Sequence, residues 1–417
     1  MYKKWLFFLF QSFLLSCSNY LSDNSNKVLT IDVEKEINNL SDIKLSEFCR
    51  TISYVQLETL DSVLIGRYPK IVVTTNKILV SSNQQPLFVF DRNTGKYLNK
   101  IGHKGNDPEG YMDDGWGNIK YWVDNKAEIV YFQSNDMKGL LKYDMEGHFI
   151  GKFNLPMENK IDLYSSCLFV ENDTAWVYNK FFDRKEQPVL VCFSVNNEDL
   201  YWEKTTNKDL LPSFNTIRNV ELLYGNQIDY GGDVYRVYFA DNKVFNYVPD
   251  APSFCKVNDK LLFKENFVDT LFQLNKMDLS AYRVFDMGRF AWPYEERFFK
   301  ERSDERLYID YYYCANNILL AHLTQGMYAD KEKKKEYMLI CSADMKKIMM
   351  SQKISFINDI DFGMDISIWG TTSDNKFFSC LLADDIVKYN EQSVSVNGYT
   401  KSFSVSSEDN PVIVILE

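Results

Sequence analysis

Apolar and polar positions along this chain alternate in short bursts rather than in long helical stripes. Runs of roughly four to eight residues rich in Val, Ile, Tyr and Phe recur throughout. Examples are "KILVSS", "PLFVFD", "AEIVYFQ", "TAWVYN", "VLVCFSV", "NILLAHL", "YMLICSAD" and "PVIVILE". Gly, Asn, Asp or Pro bounds most of them, as expected of strands joined by tight turns. Apolar residues at i, i+3, i+4 and i+7 over three turns are rare. The pattern predicts an all-β sandwich, barrel or propeller.

The bursts repeat. "PLFVFDRNTGKYLNKI" aligns with "GLLKYDMEGHFIGKF". Each has an apolar strand, an Asp, a turn closed by Gly and a second strand. Asp91 and Asp144 can cap their own turns, and Gly95 and Gly147 can adopt the positive φ a hairpin needs. A further strand pair with an Asn-Lys tip precedes each unit, so one repeat reads as four antiparallel strands. Weaker copies follow, the fourth with a long insertion around "DVYRVYFADNKVFNYV" and the sixth ending in "FFSCLLADDIVKYN". The leading strand "ISYVQLET" (52–59) stays unpaired in this count. A strand donated from the opposite terminus would close such a ring. The expectation is a six-bladed β-propeller, with seven blades as runner-up and a two-domain sandwich as a distant third.

The ends set the address. Lys3 and Lys4 precede an apolar stretch from Trp5 to Leu15, far short of the ~20 residues of a spanning helix, so it reads as a signal peptide. It ends in Leu14-Leu15-Ser16-Cys17, which resembles the lipobox of bacterial lipoproteins, where the Cys carries the lipid. The predicted organisation is a signal at 1–16, a lipidated tether and lead-in at 17–50, and a propeller at 51–417. Of eight cysteines, the seven beyond Cys17 include no C-x-x-C, and several lie in apolar runs. They are expected to be mostly free and buried. One disulfide remains open, with no readable pairing. The net charge of -11 and the absence of a basic stripe argue against nucleic-acid partners.

Four segments carry a family resemblance: "YVQLETLDSVLIG", "VFDRNTGKYLNKIGHKGNDPEGY", "FVDTLFQLNKMDLSAYRVFDMGRF" and "EDNPVIVILE". The chain resembles the six-bladed propeller lipoproteins common in Bacteroidetes, distant relatives of NHL-repeat propellers. The resemblance implies a fold and an outer-membrane, lipid-anchored address, but no reaction. The second segment runs Asn106-Asp107-Pro108-Glu109-Gly110-Tyr111, departing from that family's commoner Gly-Pro-Gly-Glu-Tyr order.

Candidate chemistry is sparse. The three histidines, His103, His148 and His322, have no metal spacing, and no metal or cofactor is expected. No nucleophile elbow, phosphate loop, HExxH or EF-hand sequence occurs. His103, Lys104 and Tyr111 share a glycine-rich loop, either as ligand contacts or as the crossover between two blades. His322 lies in a strand able to face a central channel, where Arg289 or carboxylates would have to join it. Trp116 and Trp292 sit in predicted loops, where they either pack between blades or stack on a sugar. The function expected is non-catalytic binding or scaffolding at the envelope, for a glycan, small molecule or protein, by a monomer. The alternative is an envelope carbohydrate-active lyase or hydrolase using the central funnel.

Overall fold

The structure is a computed structural model. It describes residues 28–417 except 68, 114–116, 157–160, 162, 164–165, 181–187, 198, 206–211, 213, 225–233, 249–250, 258, 277, 331 and 394–404. The signal segment, Cys17, the polar tether after it and Trp116 lie outside the described residues.

The described chain is all-β, with a β-propeller-like series of four-stranded antiparallel sheets. The first sheet runs Lys70–Val73, Lys77–Ser81, Leu87–Asp91, Tyr97–Ile101. The second runs Tyr121–Asp124, Ile129–Gln133, Gly139–Asp144, Phe149–Asn154. The third runs Ser166–Glu171, Thr174–Asn179, Pro188–Ser194, Leu200–Thr205. The fourth runs Phe254–Val257, Lys260–Lys264, Thr270–Asn275, Asp278–Asp286. The fifth runs Leu307–Ala315, Ile318–Gln325, Lys335–Ser342, Ile348–Ser351. The sixth combines Gly370–Thr371, Phe377–Leu381 and Val412–Leu416 with Ile52–Gln56 from the other end of the chain.

Burial explains the apolar runs. Every residue of Pro188–Ser194, Phe377–Leu381 and Val412–Leu416 is buried, because neighbouring sheets cover both faces of these central strands. Tyr97–Ile101 and Phe149–Asn154 are last in their sheets and alternate between exposed and covered positions. Apolar clusters join consecutive sheets. Leu79 and Val89 meet Tyr121 and Phe132, and Tyr131 and Leu140 meet Leu168 and Val191. Trp176 and Leu190 meet Phe263 and Leu274, and Leu262 and Phe285 meet Tyr312 and Leu339. Leu320 and Ile340 meet Phe377 and Val414. Finally Phe378 and Ile413 meet Ile78 and Phe88, joining the sixth sheet to the first.

Three details differ from the sequence reading. Val234–Phe239 and Val244–Tyr247 are not strands of the fourth repeat. They pair with Ile217–Tyr224 in a separate three-stranded sheet. Val237, Phe239, Val244 and Phe245 drive this, packing on Phe267, Trp292, Tyr308 and Tyr328 instead of between two sheets. "ADDIVKYN" is helical, within Ala383–Ser393, with Asp384 and Asp385 in the first turn where the helix dipole favours them. The lead-in is packed: Leu29–Asp32 adds a parallel strand to Asp278–Asp286, and Ile43, Leu45 and Phe48 enter the cluster between the fifth and sixth sheets.

The repeated hairpins use the predicted chemistry. Asp91 Oδ1 accepts from the backbone N–H of Asn93 and Thr94 and from the Thr94 hydroxyl. Asp144 Oδ1 accepts from the N–H of Glu146 and His148. Gly95 and Gly147 have φ of 70° and 92°. The first turn also touches the N-terminal strand, since Glu58 N–H donates to the Gly95 carbonyl at 2.8 Å. A Cβ on Gly95 would run into the Gln56 carbonyl oxygen. Gly95→Ala is therefore expected to destabilise the fold by about 2 kcal/mol or more, combining left-handed strain with a clash against backbone. An unchanged urea midpoint would contradict this contact.

Candidate central cavity and buried ion cluster

The first strands of several sheets converge on a cavity of about 230 Å³. The first sheet contributes Pro69 to Val72, and the start of the fourth contributes Pro252, Phe254 and Cys255. Tyr313 comes from the fifth, and Trp369, Gly370, Thr371 and Phe378 from the sixth. The aromatic rings make broad apolar walls. Its polar groups are held in place. Tyr313 donates its hydroxyl proton to the Trp369 carbonyl at 2.9 Å. Lys70 Nζ lies 4.7 Å from the Tyr121 ring centroid, and the Tyr121 hydroxyl donates to the Lys70 carbonyl at 3.1 Å. The cavity thus offers π-faces, a hydroxyl on Thr371 and one ammonium near its wall.

A second concentration of chemistry lies between the fourth and fifth sheets. Lys264 ends its strand 6% exposed, with Nζ 5.1 Å from the Tyr308 ring centroid. Burial pushes its ammonium down to about 8, against the pull of Asp269 and Asp310. Burial likewise raises Asp269, against Lys264 and Arg297. Asp310 behaves oppositely. Burial works to raise its carboxyl, but the His322 hydrogen bond and charge, Lys334 and the Thr324 hydrogen bond hold it below the usual range. His322 Nδ1 sits 2.9 Å from Asp310 Oδ2 and its ring stacks on Tyr311 at 4.9 Å. The Thr324 hydroxyl donates to the same carboxylate oxygen. None of these groups lines that cavity. Among the described residues no group of three or more His, Cys, Asp or Glu is poised to hold a metal.

The model of a family described as "Domain of unknown function (DUF4934)" matches residues 28–417, almost the whole chain. The chain belongs to the DUF4934 family. Its fold is similar to that of a Bacteroides fragilis NCTC 9343 protein named as exported, with a TM-score of 0.57 and 14% identity over 91% of this chain and 97% of that one. A DUF4221 family member from Bacteroides vulgatus ATCC 8482 aligns at TM-score 0.47 and 8% identity, over 88% of this chain and 96% of that one. A streptogramin B lyase aligns at TM-score 0.35 and 13% identity, over 88% and 97%. No curated protein matches.

Within this DUF4934 chain the residues singled out from sequence do not converge on one site. His103, Lys104 and Tyr111 occupy the connection between the first and second sheets. His103 Nε2 contacts Asp107 Oδ2 at 2.8 Å, and Lys104 pairs with Asp113. Tyr111 is buried and stacks on Phe132 at 4.6 Å. The loop is fastened to the second sheet by Asn135, which donates to the Asp107 carbonyl, and by the Tyr143 hydroxyl on the Glu109 carbonyl. Its geometry is that of a crossover. His148 sits at a hairpin tip against Asp144.

Arg289 is exposed and pairs with Glu34. Trp292 is not an exposed stacking platform. It is 4% exposed, wedged against Phe267 and Tyr328, and its Nε1 finds no hydrogen-bond partner among the described residues. His322 is buried and its ring is committed to Asp310 and Tyr311. The sequence reading passed over Asp310 and Lys264, although a carboxylate within "LYIDYYYCA" and a lysine ending "KLLFK" are the kind of charge in an apolar run that marks a buried partner. Lys70, Tyr313 and Trp369 carried no such signal, because only the packing of separate sheets brings them together.

Proposed function

We propose that this protein is an exported envelope lipoprotein whose six-bladed propeller binds a small organic ligand in its central cavity without transforming it. The cavity of about 230 Å³ carries this reading, being walled by aromatic rings and lined by strands from different sheets. It lies below the ~300–1,000 Å³ of drug-sized sites, so a compact ligand fits better than an oligosaccharide or a protein segment. Its π-faces and the nearby Lys70 ammonium favour a ring bearing an anionic group, such as a uronic acid or an aromatic carboxylate.

The blade count is supported by six apolar clusters, each joining consecutive sheets, with the sixth sheet packed on the first. The three-stranded sheet is outside this series, since the third and fourth sheets pack directly on each other. Pairing of Ile52–Gln56 with Val412–Leu416 would then close the ring. The address rests on the lipobox-like Leu14-Leu15-Ser16-Cys17 and on the similar Bacteroides fragilis protein named as exported. Among the described residues no helix is long and apolar enough to cross a membrane. The ligand reading favours binding over catalysis because the ionisable cluster around Lys264 does not border the cavity.

The test is a thermal-shift and tryptophan-fluorescence screen with monosaccharides, uronic acids and aromatic carboxylates. A true ligand at 100 times its Kd adds about 2.7 kcal/mol of stability. Trp369→Ala is expected to abolish that shift while retaining the fold. No shift with any compound, or binding unaffected by Trp369→Ala and Lys70→Ala, would refute the cavity assignment.

A further inference from the structure

We infer that Cys255 and Cys314 form an oxidisable thiol pair that closes into a disulfide between the fourth and fifth sheets. All seven described cysteines are unpaired in the structure, but these two are neighbours. Cys255 belongs to Phe254–Val257 and Cys314 to Leu307–Ala315, the first strands of adjoining sheets. The Cys255 thiol lies 3.8 Å from the Cys314 carbonyl oxygen, across 59 residues of chain, and both side chains are buried in the same apolar cluster. Cys341 shares the same apolar cluster, but its thiol is turned to the Ser342 carbonyl and Met345 sulfur, both at 3.3 Å.

Access distinguishes the two sulfurs. Cys255 lines the cavity of about 230 Å³, so a small oxidant meets it first, whereas Cys314 is 2% exposed and borders only a separate space of about 10 Å³, shared with Cys341. The oxidant required is a disulfide, RSSR, either a small molecule or an exchange-active protein. The Cys255 thiolate attacks one sulfur of RSSR, forming a mixed disulfide and releasing RS⁻, which takes up the thiol proton. The Cys314 sulfur then attacks the Cys255 sulfur, and the second RS⁻ leaves with the Cys314 proton. Two protein thiols are oxidised and one external disulfide is reduced to two thiols. Burial holds the Cys314 thiol protonated, which makes the second step slow and the pair dormant under reducing conditions. The product would staple two strands that wall the cavity. An oxidising address rests on the export reading, but the chemistry can be tested apart from it and from ligand binding.

The purified mature chain is incubated with oxidised glutathione, alkylated under denaturing conditions and mapped as non-reduced peptides. Two of the seven thiols from Cys49 to Cys380 should disappear. A cross-linked peptide should join Cys255 to Cys314 and vanish on reduction. Cys341→Ala should keep the link, and Cys255→Ala and Cys314→Ala should each lose it. Seven alkylated thiols, a mixed disulfide that stops at Cys255, or a link through Cys341 would overturn the assignment. The wild-type map decides the matter even if a variant fails to fold. Ligand binding assayed in reductant stays informative whichever result is found.

Discussion

Removal of Val412–Leu416 is expected to abolish cooperative folding of the whole chain. This five-residue strand lies between Phe377–Leu381 and Ile52–Gln56, pairing with both. Its side chains are at most 3% exposed. Val414 and Leu416 point into the cluster with the fifth sheet, while Ile413 and Ile415 point into the cluster with the first. Burying such side chains is worth about 1.5–3 kcal/mol each, so the strand contributes on the order of 10 kcal/mol. That matches the ~5–15 kcal/mol by which whole domains are stable. The loss also strips both neighbours of their ladder partners. Circular dichroism of a chain ending at Asn410 should show no cooperative melt. A melting temperature within a few degrees of wild type would show that the two ends of the chain do not depend on each other.

Asp310→Ala is the substitution expected to cost most within the interior, roughly 3–5 kcal/mol, as for other broken buried ion pairs. It leaves His322 Nδ1 and the Thr324 hydroxyl without their common acceptor. It also removes one of the carboxylates whose charge offsets the desolvated Lys264 ammonium. The pH dependence follows from the direction of the Asp310 shift. Its carboxyl titrates lower in the folded protein than in the unfolded chain. Between those two values the unfolded chain binds the extra proton, so stability rises with pH there. The contribution is complete above the unfolded carboxylate value of ~3.9 and lost as pH falls through the folded one. Urea unfolding from pH 5 to pH 2 should therefore show a shallower acid decline in Asp310→Ala than in wild type. Equal declines would mean that other carboxylates govern acid stability.

Much of the architecture is legible in local pattern because strands and hairpins are encoded by neighbours in sequence. An apolar run such as "PVIVILE" marks a strand covered on both faces. An Asp followed by Gly, as at Asp91–Gly95 and Asp144–Gly147, marks a turn whose hydrogen bonds stay within a few residues. Repetition of that unit was enough to predict four-stranded antiparallel sheets and an unpaired leading strand awaiting a partner. One failure of that reading is a strand that changed partners. Val234–Phe239 has the right residues for a strand of the fourth repeat, but only packing on Phe267 and Trp292 assigns it to a separate sheet.

The candidate sites divide along the same line. Local chemistry identified the His103 loop as a place of glycines and polar groups, and the structure gives those residues bonds to one another and to the second sheet. The cavity brings Lys70, Tyr313 and Trp369 together from different sheets, and Cys255 meets Cys314 across 59 residues. By itself the sequence determined the strand content, the turn chemistry and the expectation of buried thiols. Tertiary structure alone decided which sheets adjoin, which charges share an interior and which of the seven thiols share one apolar cluster. Those relations depend on how the apolar faces of distant strands stack, and no periodicity within a single strand records its partner.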